Sequence, residues 1–219
     1  MQTGNKIALV TGGAKRVGSA IVRRLAAEGF EIAFTYATSI VEAEALVQSL
    51  NDHGTKATCV KCDLSQPASV QELIKWADAT LGRLDVLVNN ASAYLADDQA
   101  DGASNAVFAK TMQINCLAPA ALIGGLAGRL RASSGCVVNM IDIMADRPWP
   151  KYSAYCASKA ALKNLTLSMA RRLAPHVRVN GISPGVVEWP ADFPEADRET
   201  YLKKVPLARP GTPTTWQGW

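Results

Sequence analysis

Residues 6–18, Lys6-Ile7-Ala8-Leu9-Val10-Thr11-Gly12-Gly13-Ala14-Lys15-Arg16-Val17-Gly18, decide the fold. Lys6–Val10 is a short apolar run and reads as a buried strand. The stretch after Gly18 carries Ile21, Val22, Leu25 and Ala26 at helical spacing. The turn between them is rich in glycine. A strand, a glycine turn and a helix start in that order let the backbone approach a pyrophosphate, which the free N–H groups of the helix attract. The spacing is not GxGxxG, so its weight comes from position and context.

The same alternation continues outward. Gly29 ends the first helix in the usual glycine position. Further strands are predicted at Glu31–Tyr36, Ala57–Cys62, Asp85–Val88, Gly135–Met140 and His176–Ile182. Helices are predicted over Val41–Leu50, from Pro67, from about Ser104 to Arg131, and over Tyr152–Leu173. Strands alternating with helices imply a doubly wound α/β fold with a parallel sheet. After Pro184-Gly185 no further strand is read, and Trp216 and Trp219 lie near the end of the chain, where aromatic residues are not expected.

The 219 residues suit one domain, taken as 1–219. Hydrophobic residues are 48% and charged residues 19%, which argues against wholesale disorder. A net charge of +4 without a clustered basic stripe does not suggest nucleic acid. The most apolar stretch, Cys116 to Gly128, falls short of the roughly 20 residues that span a bilayer. The N-terminus lacks the order of a signal peptide, so a cytoplasmic protein with no membrane partner and reduced cysteines is expected. Two histidines, His53 and His176, exclude a three-histidine zinc site from this chain alone, and no metal is expected. The Cys59/Cys62 pair reads as structural, because it lies within a predicted strand.

Two features carry chemistry. The segment Thr35-Tyr36-Ala37-Thr38-Ser39, at the end of the second strand, has no acid to bind a ribose 2′-hydroxyl, and Lys15 and Arg16 lie in the neighbouring turn. That favours NADPH over NADH. Tyr155 and Lys159 are four apart on a predicted helix and share one face. An ammonium beside a phenol favours phenolate, so Lys159 is expected to lower the pKa of Tyr155 towards useful acid–base chemistry.

Thr11-Gly12-Gly13-Ala14-Lys15-Arg16-Val17-Gly18, Asp63, Asn89-Asn90-Ala91-Ser92, Asn115, Tyr155-Cys156-Ala157-Ser158-Lys159 and Pro184-Gly185 occur in the order of the short-chain dehydrogenase/reductase family, which the chain resembles over about residues 5–212. The resemblance implies that Tyr155 is the catalytic acid, Lys159 its tuner and a ribose ligand, and Asn115 the holder of a proton-relay water. It implies that NADP is bound by Gly12, Lys15, Arg16, Val17, Gly18, Thr38, Ser39, Asp63, Leu64, Asn90, Ala91, Ser92, Tyr155, Lys159, Pro184 and Gly185, with Asp63 at the adenine. Three departures resemble pteridine reductases. The second glycine of TGxxxGxG is Arg16, NNAG is Asn89-Asn90-Ala91-Ser92 followed by Ala93-Tyr94, and the usual serine thirteen residues before the tyrosine is Asp142. In that group Arg16, Ser92, Tyr94, Asp142 and Tyr155 would face a pterin, with Tyr94 stacking it. The family's last helix and strand are not recognised in this sequence. Without them the sixth strand is an exposed edge, and a dimer through the two long helices is more plausible than a tetramer.

Asp142 supports the pterin reading on physical grounds. An ionised carboxylate repels a developing alkoxide, as in ketone reduction. A carboxyl that relays a proton suits reduction of a C=N bond, whose nitrogen needs one, and it also accepts from amino groups of a pterin. The leading reading is NADPH-dependent reduction of a dihydropterin. A reductase of a carbonyl substrate such as a 3-oxoacyl thioester, and a catalytically silent nucleotide-binding protein, remain as alternatives.

Overall fold

In the computed structural model, described over residues 5–187, 189 and 195–212, six strands form one parallel sheet. They are β1 (Ile7–Val10), β2 (Glu31–Tyr36), β3 (Ala57–Lys61), β4 (Val86–Asn89), β5 (Cys136–Met140) and β6 (Arg178–Ile182), in the order β3-β2-β1-β4-β5-β6. The helices are α1 (Arg16–Ala27), α2 (Ile40–Asp52), α3 (Pro67–Thr80), α4 (Asn105–Met112), α5 (Ala118–Ala132), α6 (Ser153–Leu173) and α7 (Glu195–Leu202). The near-continuous apolar strands follow from burial on both faces. One face packs Val10, Val22, Phe34 and Leu46, and the other packs Leu9, Leu87, Leu122, Leu126 and Val137. Each fully buried leucine or phenylalanine contributes about 1.5–3 kcal/mol of transfer free energy.

Strand register places the site. Val10 lies opposite both Phe34 and Val88, Val88 opposite Val138, and Val138 opposite Asn180. The carboxyl ends of the central strands are therefore level, and the residues that follow them share one rim. Strand order reverses between β1 and β4, the place where doubly wound sheets leave a crevice.

Two expectations change and one element is added. The helix expected from Ser104 to Arg131 is interrupted by a π-helical turn over Gln113–Leu117, centred on Asn115. Such turns recur where a helix must aim one side chain at a site. The apolar stretch is not confined to Cys116–Gly128: the combined run Asn105–Ala132 is long and apolar enough to cross a membrane by length and composition, with a mean hydropathy of 1.3 over an 18-residue window. Its Leu122, Ile123, Leu126 and Leu130 are nevertheless completely buried in the core. The tail after Gly185, in which no strand was expected, carries a helix, α7. Among the described residues no strand pairs with the outer edge of β6; Trp216 and Trp219 lie outside the described residues.

Candidate active site

The glycine turn is locked to the end of β4. The Thr11 hydroxyl oxygen accepts from the N–H groups of Asn90 and Ala91 at 3.0 and 3.1 Å. The Asn90 amide donates to the carbonyls of Thr11 and Gly12 at 2.9 and 3.1 Å. Side chains would not fit here. A Cβ on Gly18 would sit 2.0 Å from the Gly12 carbonyl oxygen, and Gly12 has φ +64° with Ala91 against it. No side chain caps the start of α1, and its first turn carries no acid. The start of the helix opens on a cavity of about 440 Å³ whose lining includes Gly12, Lys15, Arg16, Val17 and Gly18. A close backbone cradle with an uncapped helix start fits the pyrophosphate of a dinucleotide. Arg16 adopts the left-handed region, φ +51°, where the resembled motif has glycine. That conformation costs a residue with a Cβ about 1–2 kcal/mol.

The same cavity collects Asn90, Ala91, Ser92, Tyr94, Asp142, Tyr155, Lys159, Pro184 and Gly185. Thr38, Ser39, Asp63 and Leu64 are not part of its lining. The Asp63 carboxylate instead accepts from Ser65 N–H at 2.9 Å, and Leu64 is buried. Lys15, expected to be a basic residue at the cofactor, is paired with Glu42 at 2.6 Å. Cys62 lies just beyond β3, facing the Ser69 hydroxyl at 3.6 Å rather than sitting within the strand.

Tyr155 and Lys159 project from the start of α6 into the cleft. The Tyr155 hydroxyl donates to Asp142 Oδ2 at 2.8 Å, and Asp142 Oδ1 accepts from Met144 N–H at 2.8 Å. Burial pushes the Asp142 carboxyl up, opposed by its hydrogen bonds from Met144 and Tyr155 and by the charge of Lys159. The expected lowering of Tyr155 is reversed. Burial, and then the charge and hydrogen bond of Asp142, push its phenol far up and hold it neutral. Lys159 does not offset this, because its ammonium donates to the Met140 carbonyl at 2.7 Å and lies 5.7 Å from the centre of the Tyr155 ring. Burial brings Lys159 itself down to about 8.

Asn115 is a clamp. Its amide donates to the Ala93 carbonyl at 3.0 Å and to the Ser158 hydroxyl at 2.9 Å. Its carbonyl accepts from Ala93 N–H at 2.8 Å and from the Ser92 hydroxyl at 3.1 Å. Both donors and both lone pairs are in use, so the side chain holds the loop after β4 against α6 and has no position left for a water. Tyr94, on that loop, stacks on Tyr152 at 4.4 Å and meets Tyr155 edge-on at 4.7 Å.

Sequence reasoning missed Trp149, Trp189 and Tyr201, which also line the cavity. Tyr201, from α7, meets both tryptophan rings at 5.4 Å. The aromatic residues just ahead of Tyr155 were the signal for Trp149. Nothing local marked Tyr201. Asp97 was missed as well: it accepts from Ser153 N–H and donates its own N–H to the Lys151 carbonyl, both at 2.9 Å, tying the Tyr94 loop to the start of α6.

Known proteins are similar to this chain in sequence and fold. Pteridine reductase 1 of Leishmania tarentolae is 36% identical over 92% of this chain and 83% of its own length. A 3-oxoacyl-[acyl-carrier-protein] reductase of Staphylococcus epidermidis is 31% identical over 96% of this chain and 87% of its own. The crystal structure of FolM alternative dihydrofolate reductase 1 from Brucella canis, complexed with NADP, superposes with a TM-score of 0.88 at 35% identity, covering 98% of this chain and 84% of that one. The profile of the short chain dehydrogenases matches residues 6–200, and with the glycine cradle, the six-stranded order and the Tyr155–Lys159 pair in place, this chain belongs to the short-chain dehydrogenase family of oxidoreductases.

Proposed function

We propose that the protein is an NADPH-dependent reductase of a C=N bond in a dihydropterin. The observation that carries this reading is the Asp142–Tyr155 hydrogen bond, 2.8 Å long, inside an aromatic-walled cleft. A carboxylate at that place disfavours an alkoxide-forming reaction and suits delivery of a proton to nitrogen. The relatives named for pteridine and dihydrofolate reduction agree with it.

In this reading the turn Gly12–Gly18, with Asn90, Ala91, Ser92, Pro184 and Gly185, holds the dinucleotide, and Thr38, Ser39, Asp63 and Leu64 meet its adenosine half from outside the cavity. A bound NADPH supplies the hydride. Tyr155, neutral and hydrogen-bonded to Asp142, is positioned to pass its proton to the substrate nitrogen, and the Asp142 carboxylate, whose burial favours taking up a proton from solvent, relays that proton to the phenol. Lys159 holds the nicotinamide ribose and keeps a positive charge beneath Tyr155. Asn115 fixes the Ser92–Tyr94 loop against α6. Arg16, Ser92 and Tyr94 complete the pterin contacts, the ring being held against an aromatic face.

We also propose a single cytoplasmic domain that pairs through the long helices. Phe108, Leu117 and Leu167, on or between α4, α5 and α6, are 41–59% exposed, and apolar side chains clustered on adjoining helices are what an interface covers. The second reading, a reductase of a carbonyl substrate, is favoured by the 3-oxoacyl reductase among the relatives. Oxidation of NADPH with a dihydropterin and with a 3-oxoacyl thioester, each repeated with NADH, decides between them. Turnover of the dihydropterin with NADPH is expected; turnover of the thioester alone would overturn the proposal, and binding without turnover would leave a silent nucleotide-binding protein.

A further inference from the structure

One ion pair joins the glycine turn to the second helix. Lys15 Nζ lies 2.6 Å from Glu42 Oε1, and both side chains are about half exposed (50% and 46%). Lys15 immediately precedes α1 and lines the cavity. Glu42 stands in the first turn of α2, three residues after Ser39. The end of β2 is drawn against the turn, because Gly12 N–H donates to the Thr35 hydroxyl at 3.1 Å and Gly13 N–H to the Thr35 carbonyl at 2.9 Å. In a doubly wound sheet the end of the second strand is where the 2′ position of the adenine ribose is read. Lys15 is a cation of that turn which reaches the first turn of α2, just after this strand end, and a carboxylate already holds it.

We propose that Glu42 sets how strongly this protein prefers NADP(H) over NAD(H), by holding Lys15 and by placing a negative charge beside the 2′ position. The inference rests on the NADPH reading above. A 2′-phosphate must share Lys15 with Glu42 or displace it, and in either case meets a like charge. A 2′-hydroxyl carries no charge and meets no such penalty. Glu42 thus acts against the phosphorylated dinucleotide alone and keeps the preference smaller than Lys15 by itself would make it. The Lys15 ammonium holds the Glu42 carboxyl below the usual carboxylate range, so this opposition persists through neutral and mildly acidic pH. Both groups are exposed, so the effect is modest and screened by salt.

The test is a pair of dissociation constants, for NADPH and for NADH, on the wild type and on Glu42→Gln, by fluorescence titration at low and at high salt. Glu42→Gln keeps the size of the side chain on an exposed helix face. It is expected to tighten NADPH by about two- to fivefold, the range for releasing one exposed ion pair. NADH should not change, and the gain should shrink at high salt. Equal shifts for the two dinucleotides, or unchanged or weaker NADPH binding, would overturn the role of Glu42. A wild type that binds NADH as tightly as NADPH would sink the cofactor reading instead; a preference that then appears on Glu42→Gln would still uphold the inference.

Discussion

Replacing Asp142 by asparagine separates proton delivery from folding. The carboxylate serves two donors, Tyr155 through Oδ2 and Met144 through Oδ1. Asparagine keeps the shape and one acceptor but loses the charge and the proton. A hydrogen bond to a charged group is worth about 1.5–3 kcal/mol. At about 1.4 kcal/mol per decade, its loss in the transition state lowers kcat/KM for a dihydropterin by about 10- to 150-fold. Stability moves the other way. Burial raises the Asp142 carboxyl, so the folded state favours the protonated form. Its contribution to folding is therefore fully present below the ordinary carboxylate range and is lost as pH rises through the folded pKa. At neutral pH the buried charge is a cost, and Asp142→Asn removes it. The melting temperature should hold or rise while pterin turnover collapses. Steady-state NADPH oxidation and thermal denaturation measure the two halves. A pterin rate within about threefold of wild type, or an equal loss with a 3-oxoacyl thioester, would refute the argument that Asp142 serves nitrogen protonation.

Arg16→Gly removes a side chain held at φ +51°; relief of about 1 kcal/mol should raise the melting temperature by about 2–4 °C while NADPH and pterin binding weaken. Asp97→Ala frees Ser153 N–H at the start of α6, so stability should fall by about 1 kcal/mol; the pterin KM should rise with NADPH affinity unchanged, and Asp97→Asn should restore the KM. Lys159, brought down to about 8 by burial, is neutral in the folded protein while still charged unfolded between about pH 8 and its ordinary value of 10.5. The unfolded state binds the extra proton there, so Lys159 adds stability as pH rises through that window. Lys159→Met should flatten the rise relative to wild type in melting curves taken across it.

Much of this protein was written in local sequence. The alternation of short apolar runs with helical spacing determined a parallel doubly wound sheet, because each pattern has its own period and needs only near neighbours. The glycines at 12 and 18 were legible for the same reason: a positive φ or an absent Cβ is a property of one residue in its turn. Tyr155, Lys159 and Asp142 were legible as a set by order and spacing. Their electrostatics were not. Spacing puts Lys159 on the face of Tyr155, but only packing decides that its ammonium is spent on the Met140 carbonyl and that Asp142 closes on the phenol. Those partners lie 19 and 13 residues away and meet through the sheet. The π-helical turn at Asn115 was invisible because an extra residue in a helical turn leaves the apolar period nearly intact. Lys15 could be read as a base in the turn, but its pairing with Glu42 depends on where α2 sits relative to α1. Tyr201 reaches the cleft from a helix whose sequence shows no reason to be there, because burial against Trp149 and Trp189 is a tertiary contact. Sequence determined which groups are present and which elements carry them. Tertiary structure decided which are dry, which are paired and therefore which are charged, since burial and long-range neighbours set those quantities.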